Sequence, residues 1–130
     1  MKSGFELTVI LPATPEEIYA AWLNSEGHAA LTGSPAKIDG KVGGKFSAWD
    51  GYISGRTLEL EPGRRILQAW RTSEFPDDAP DSRLEIVLEP AKDGTKLTLI
   101  HSDIPEDQVE SYRHGWQESY FDPMLEYFEK

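Results

Sequence analysis

The sequence predicts an α+β domain in which an antiparallel sheet is covered by one long C-terminal helix. Three observations carry this reading. From Pro105 to Lys130, Val109, Tyr112, Trp116, Tyr120, Met124 and Tyr127 recur at helical steps of three and four, and Phe121, Leu125 and Phe128 add a second apolar row. From Ala36 to Ser102, short runs of alternating residues are separated by Gly-, Pro- and Asp-rich turns. The chain has 130 residues with four Trp, five Tyr and five Phe, enough for one domain whose helix stripe needs a broad apolar surface to lie against.

The elements follow in order. Phe5–Leu11 reads as a strand. Thr14-Pro15-Glu16-Glu17 starts a short helix, with Thr14 as N-cap, Pro15 in the first turn and Glu17 completing a capping box. A second short helix spans Glu26 to Leu31 and ends at Gly33. Strands are then expected at Ala36–Asp39, Lys45–Trp49, Tyr52–Leu60, Arg65–Thr72, Arg83–Glu89 and Thr95–Ser102. Asp50-Gly51 is a hairpin signal, Gly55 a bulge position, and Asp93-Gly94 joins the last pair. Short connections imply an antiparallel meander. In the final helix, Gly115 is expected where the backbone approaches the sheet, and Pro123 is expected to kink the axis near Asp122.

Composition excludes several function classes. No cysteine is present, which removes disulfides, thiol catalysis and thiolate metal sites. A formal net charge of −10 opposes binding to nucleic-acid phosphates and to anionic membrane surfaces. The first residues lack the apolar core of a secretory signal and no stretch reaches transmembrane length, so a cytoplasmic location is the expectation.

Read together, Pro15–Trp22, Gly43-Gly44-Lys45-Phe46, Gly55, Glu59-Leu60-Glu61-Pro62, Arg65–Arg71, Gly94–His101 and Gly115-Trp116 resemble a known family across nearly the whole chain. It is the family named after the C-terminal domain of the activator of the ninety-kilodalton heat-shock protein ATPase (AHSA-type), in the START-like (SRPBCC), birch-pollen-allergen-like superfamily. The resemblance implies a single helix-grip domain over residues 1–130: a curved antiparallel sheet gripping the last helix, two short helices after the first strand, and a cavity between sheet and helix. The family's namesake is a two-domain co-chaperone, and the superfamily includes lipid carriers, cyclases and hydrolases, so the fold does not select among them.

Strand alternation and the helix stripe nominate the cavity lining. The sheet supplies Phe46, Trp49, Gln68, Trp70, Leu84, Ile86, Leu97, Leu99 and His101; the helices supply Trp22, Tyr112, Trp116 and Tyr120. His101 reads either as a ligand anchor or general base, or as a strand-end histidine bonded to a loop. His28 falls in a short helix and His114 on the solvent side of the long one, with no metal-ligand spacing among the three histidines. The Asp77-Asp78-Ala79-Pro80-Asp81 run lacks the ordered spacing of a calcium loop and reads as a solvated loop. No catalytic set, metal site or cofactor is implied. Three functions remain: a carrier of a small apolar or aromatic molecule, a co-chaperone-like module with a protein partner such as a chaperone, and a hydrolase- or cyclase-type enzyme using the cavity.

Overall fold

The computed structural model describes residues 3–129; Met1, Lys2 and Lys130, the expected last residue of the long helix, lie outside the described residues. Strand β1 (Phe5–Leu11) leads into helices α1 (Pro15–Trp22) and α2 (Ser25–Thr32). Strands β2 (Ala36–Ile38), β3 (Lys45–Ala48), β4 (Ile53–Glu61), β5 (Arg65–Thr72), β6 (Ser82–Ala91) and β7 (Gly94–Ser102) follow. The strands form one antiparallel sheet in the order β1-β7-β6-β5-β4-β3-β2, so β2 to β7 meander and β1 returns to pair with β7. Helices α1 and α2 carry the chain from one sheet edge to the other. This is the curved seven-stranded sheet and C-terminal helix of a helix-grip fold.

Local chemistry explains the boundaries. The Thr14 side chain accepts from the Glu17 N–H at 3.1 Å while Glu17 accepts from the Thr14 N–H at 3.0 Å, which satisfies two orphan donors of α1. Gly33 ends α2 in the left-handed region at φ 79. Asp50 and Gly51 have φ of 56 and 91 and are closed by Tyr52 N–H to Trp49 C=O, the turn that the Asp-Gly pair favours.

Two expectations are corrected. The bulge in β4 lies between Thr57 and Glu59, not at Gly55. Gly55 serves close packing instead: a Cβ there would sit 1.9 Å from the Ala69 carbonyl oxygen and 2.7 Å from Phe46 Cζ. Gly115 makes no close approach, since a Cβ at that position would meet nothing within 4 Å.

The C-terminal helix is also more varied than a single α-helix. It runs as a 3-10 turn (Glu106–Gln108), α3 (Val109–Trp116), a π-helical turn (Gln117–Phe121) and α4 (Asp122–Phe128). The disturbance expected from Pro123 thus takes the form of a widened turn just before it, with Asp122 N–H bonded to Gln117 C=O. In a regular α-helix a row of residues four apart drifts by about 40° per step. The widened turn offsets that drift, and Tyr112, Trp116, Tyr120 and Met124 all remain buried. Tyr127, expected on the stripe, is 43% exposed.

The core fills the space between sheet and helix. Leu84, Ile86, Leu88, Leu97 and Leu99 of β6 and β7 lie under Trp22, Trp116 and Phe121 in one apolar cluster.

Candidate functional site: an aromatic cleft beside a packed core

A cleft of about 380 Å³ opens between the β3–β4 turn and the C-terminal helix. The turn and β4 contribute Trp49, Tyr52 and Ile53, and β5 contributes Trp70. The helix contributes Ser111, Tyr112, Gly115, Trp116, Ser119 and Tyr120. Ser111, Gly115 and Ser119 are four apart and small, so one row of the helix leaves room where the neighbouring row presents rings. Gly115 therefore shapes the cleft, which accounts for the empty space at its Cβ position.

Trp49 stands at the rim. Its φ of 54 is unusual for a bulky side chain and costs on the order of 1–3 kcal/mol. Its ring meets that of Tyr120 edge to face at 6.3 Å. Behind it, the Trp116 ring is 4.6 Å from Tyr120 and 5.7 Å from Trp70 between centroids. Such contacts add to area burial and hold the rings in place.

Buried hydrogen bonds fix these rings from the core side. The Trp116 indole N–H donates to His101 Nδ1 at 3.0 Å. Since Ser82 Oγ donates to the Trp70 carbonyl at 2.6 Å, it accepts from His101 Nε2 at 2.9 Å. His101 is thus the neutral Nε2–H tautomer, and burial pushes its pKa down to about 3. His28 does the same for Tyr120. Its Nδ1–H donates to the Trp22 carbonyl at 3.0 Å, and its Nε2 accepts from the Tyr120 hydroxyl at 2.8 Å. Burial lowers the His28 pKa and raises that of Tyr120. Tyr112 accepts from Thr72 Oγ1 at 2.6 Å and donates to Gln108 Oε1.

Of the residues nominated from sequence, the structure brings Trp49, Trp70, Tyr112, Trp116 and Tyr120 together at the cleft. Trp22, Phe46, Leu84, Ile86, Leu97 and Leu99 are packed in the core cluster. Gln68 is buried between Trp22 Nε1 and Thr57 Oγ1, and His101 in the chain just described; neither lines the cleft. Both ring nitrogens of His101 are bonded within the fold, so it has no free nitrogen to offer as a base. Tyr52, Ile53, Ser111, Gly115 and Ser119 were missed: the small row of the helix carries no apolar signal, and nothing in the sequence tells that the strand start at Tyr52-Ile53 borders a gap. The buried role of His28 was missed too: a lone histidine on a weakly amphipathic helix gives no hint of a tyrosine 92 positions away. No group of three or more metal-ligating side chains occurs among the described residues, and no described helix is long and apolar enough to cross a membrane.

Comparisons with known proteins agree with this architecture. Activator of 90 kDa heat shock protein ATPase homolog 2 of Mus musculus is 31% identical over 121 residues, spanning 93% of this chain but 36% of that protein. This chain therefore corresponds to about a third of the length of that curated relative. A solved structure described as an HSP90 activator from Plasmodium falciparum superposes with a TM-score of 0.82 at 28% identity, covering 92% of this chain and 91% of that one. The crystal structure of Ara h 8.0201 superposes with a TM-score of 0.76 at 16% identity over 99% of both chains, which shows the shared fold alone. The model of the Activator of Hsp90 ATPase homolog 1-like protein family matches residues 12–129, and the chain belongs to that family.

Proposed function

We propose that this chain is a non-enzymatic binding domain that takes a small apolar or aromatic molecule into the cleft beside its C-terminal helix. The observation that carries this is the lining itself, in which Trp49, Tyr52, Trp70, Tyr112, Trp116 and Tyr120 are six of the ten residues. Both buried histidines face the core with their nitrogens paired, which favours binding over acid–base chemistry. An apolar fluorescent probe tests it. Uptake should raise the thermal midpoint, with about 2.7 kcal/mol of stabilisation at a hundredfold excess over Kd. Absence of uptake and of any midpoint shift would remove the reading.

A second reading is favoured by the relatives: a co-chaperone-type module that binds a 90-kDa heat-shock ATPase through its outer surface. The mouse relative and the Plasmodium structure are both described as activators of that ATPase. Its test is the ATP turnover of purified 90-kDa heat-shock protein with and without this chain. Stimulation that survives filling of the cleft and falls on reversal of surface charges would place the activity on the outside. An unchanged turnover rate would count against the module.

A further inference from the structure

We infer that the cleft selects organic cations, an amine or quaternary ammonium group on an apolar body, over neutral molecules of the same shape and against carboxylates. This rests on the reading of the cleft as a ligand site and goes on to the charge its ligand carries.

The lining contains no charged side chain, and six of its ten residues are aromatic, the side-chain type whose ring face attracts a cation. Four polar hydrogens of the rings are committed elsewhere. Tyr52 donates to the Glu74 carboxylate, Tyr112 to Gln108 and Tyr120 to His28, while the Trp116 indole donates to His101. A carboxylate entering the cleft would find these four donors already used and only neutral groups such as the Ser111 and Ser119 hydroxyls left, and a buried anion without a cationic partner is costly.

The acids lie on the side that matters. Glu74 is tied to the rim through Tyr52, and its backbone carbonyl accepts from Gln108 Nε2 at 3.0 Å. Asp107 is on the same 3-10 turn as Gln108. Burial makes the Tyr112 phenol hold its proton more tightly, and the carboxylates of Glu74 and Asp107 add a smaller push in the same direction. Of the arginines on β5 and α3, Arg65 pairs with Glu59 and Glu85, Arg71 pairs with Asp81 at 2.9 Å, and Arg113 lies over the Phe5 ring beside Glu110. Arg56 of β4 lies beside Lys45 and Ala69, outside the cleft lining. The formal net charge of −10 adds a long-range field of the same sign.

The experiment compares three probes with one phenyl body: benzyltrimethylammonium, its neutral isostere neopentylbenzene, and the anion 3-phenylpropanoate. Binding to the intact chain is followed by tryptophan quenching and checked by calorimetry. The cation should bind about tenfold more tightly than the neutral isostere, and the anion most weakly. Glu74→Gln should narrow the gap between cation and neutral probe, whereas Glu6→Gln, on the far edge strand β1, should leave it unchanged. A neutral isostere that binds as tightly as the cation overturns the inference while the cleft reading stands. Failure of all three probes to bind overturns both.

Discussion

Replacing Gly115 separates the stability of the helix from the openness of the cleft. A Cβ at this position meets nothing within 4 Å, and the backbone is not in the left-handed region. Gly115→Ala therefore gains helix propensity without a clash, worth about 0.8–1 kcal/mol. For a chain of this size that is a rise of roughly 3–5 °C in the thermal midpoint. Gly115→Leu should keep most of that gain. Helical side chains lean toward the preceding turn, so the leucine would lie over Ser111, within the cleft. Urea unfolding and an apolar-probe titration on the same two variants give both numbers. The expected pattern is two variants at least as stable as the parent, with uptake lost progressively from Ala to Leu. If Gly115→Ala unfolds more easily than the parent, the position is packed and the cleft geometry is wrong. If Gly115→Leu binds the probe as the parent does, the ligand site lies elsewhere.

Acid should destabilise the fold through its two buried histidines. Both have pKa values held below the ordinary 6.5, that of His101 at about 3. The unfolded chain therefore binds protons that the folded chain does not as pH falls from about 6.5 toward 3. Stability should drop by up to about 1.4 kcal/mol per pH unit per histidine, measured by urea midpoints, and a flat profile over that window would contradict the burial. Gly55→Ala should be strongly destabilising, by about 1–3 kcal/mol or more, because its Cβ falls on the Ala69 carbonyl and the Phe46 ring; a neutral result in the same assay would refute that packing. Trp116→Ala should cost about 3–5 kcal/mol, and calorimetry should show a correspondingly lower midpoint.

The sequence carried the fold where a single residue type has one physical use. The Thr14–Glu17 box, the Asp50-Gly51 turn, the Gly33 stop and the helix row from Tyr112 to Met124 are all of this kind. It carried the site only in part. Alternation says which face a residue is on, not whether the facing helix leaves a gap there. Leu84 and Trp70 lie on one face of adjoining strands and both belong to the core cluster, yet only Trp70 also borders the cleft, because the gap is set by Gly115 and Ser119 on another element. Glycine is ambiguous for the same reason. Gly55 and Gly115 both read as irregularities, but one makes room for a ring and the other leaves space unfilled. The pairing of His28 with Tyr120 depends on how α2 meets the π-helical turn, a long-range geometry with no local mark.

The return of β1 to the side of β7 has a kinetic consequence. The β4–β5 and β6–β7 hairpins join neighbours in the chain, whereas Phe5 pairs with His101, about three-quarters of the chain away. Closing so large a loop is the slow step in folds rich in distant pairings, so the hairpins should assemble first and β1 should zip on late. Until it does, β7 is an unpaired edge, with Leu97 and Leu99 flanking its free amides and carbonyls. The interval before β1 arrives is when two nascent chains are most exposed to exchanging strands or aggregating.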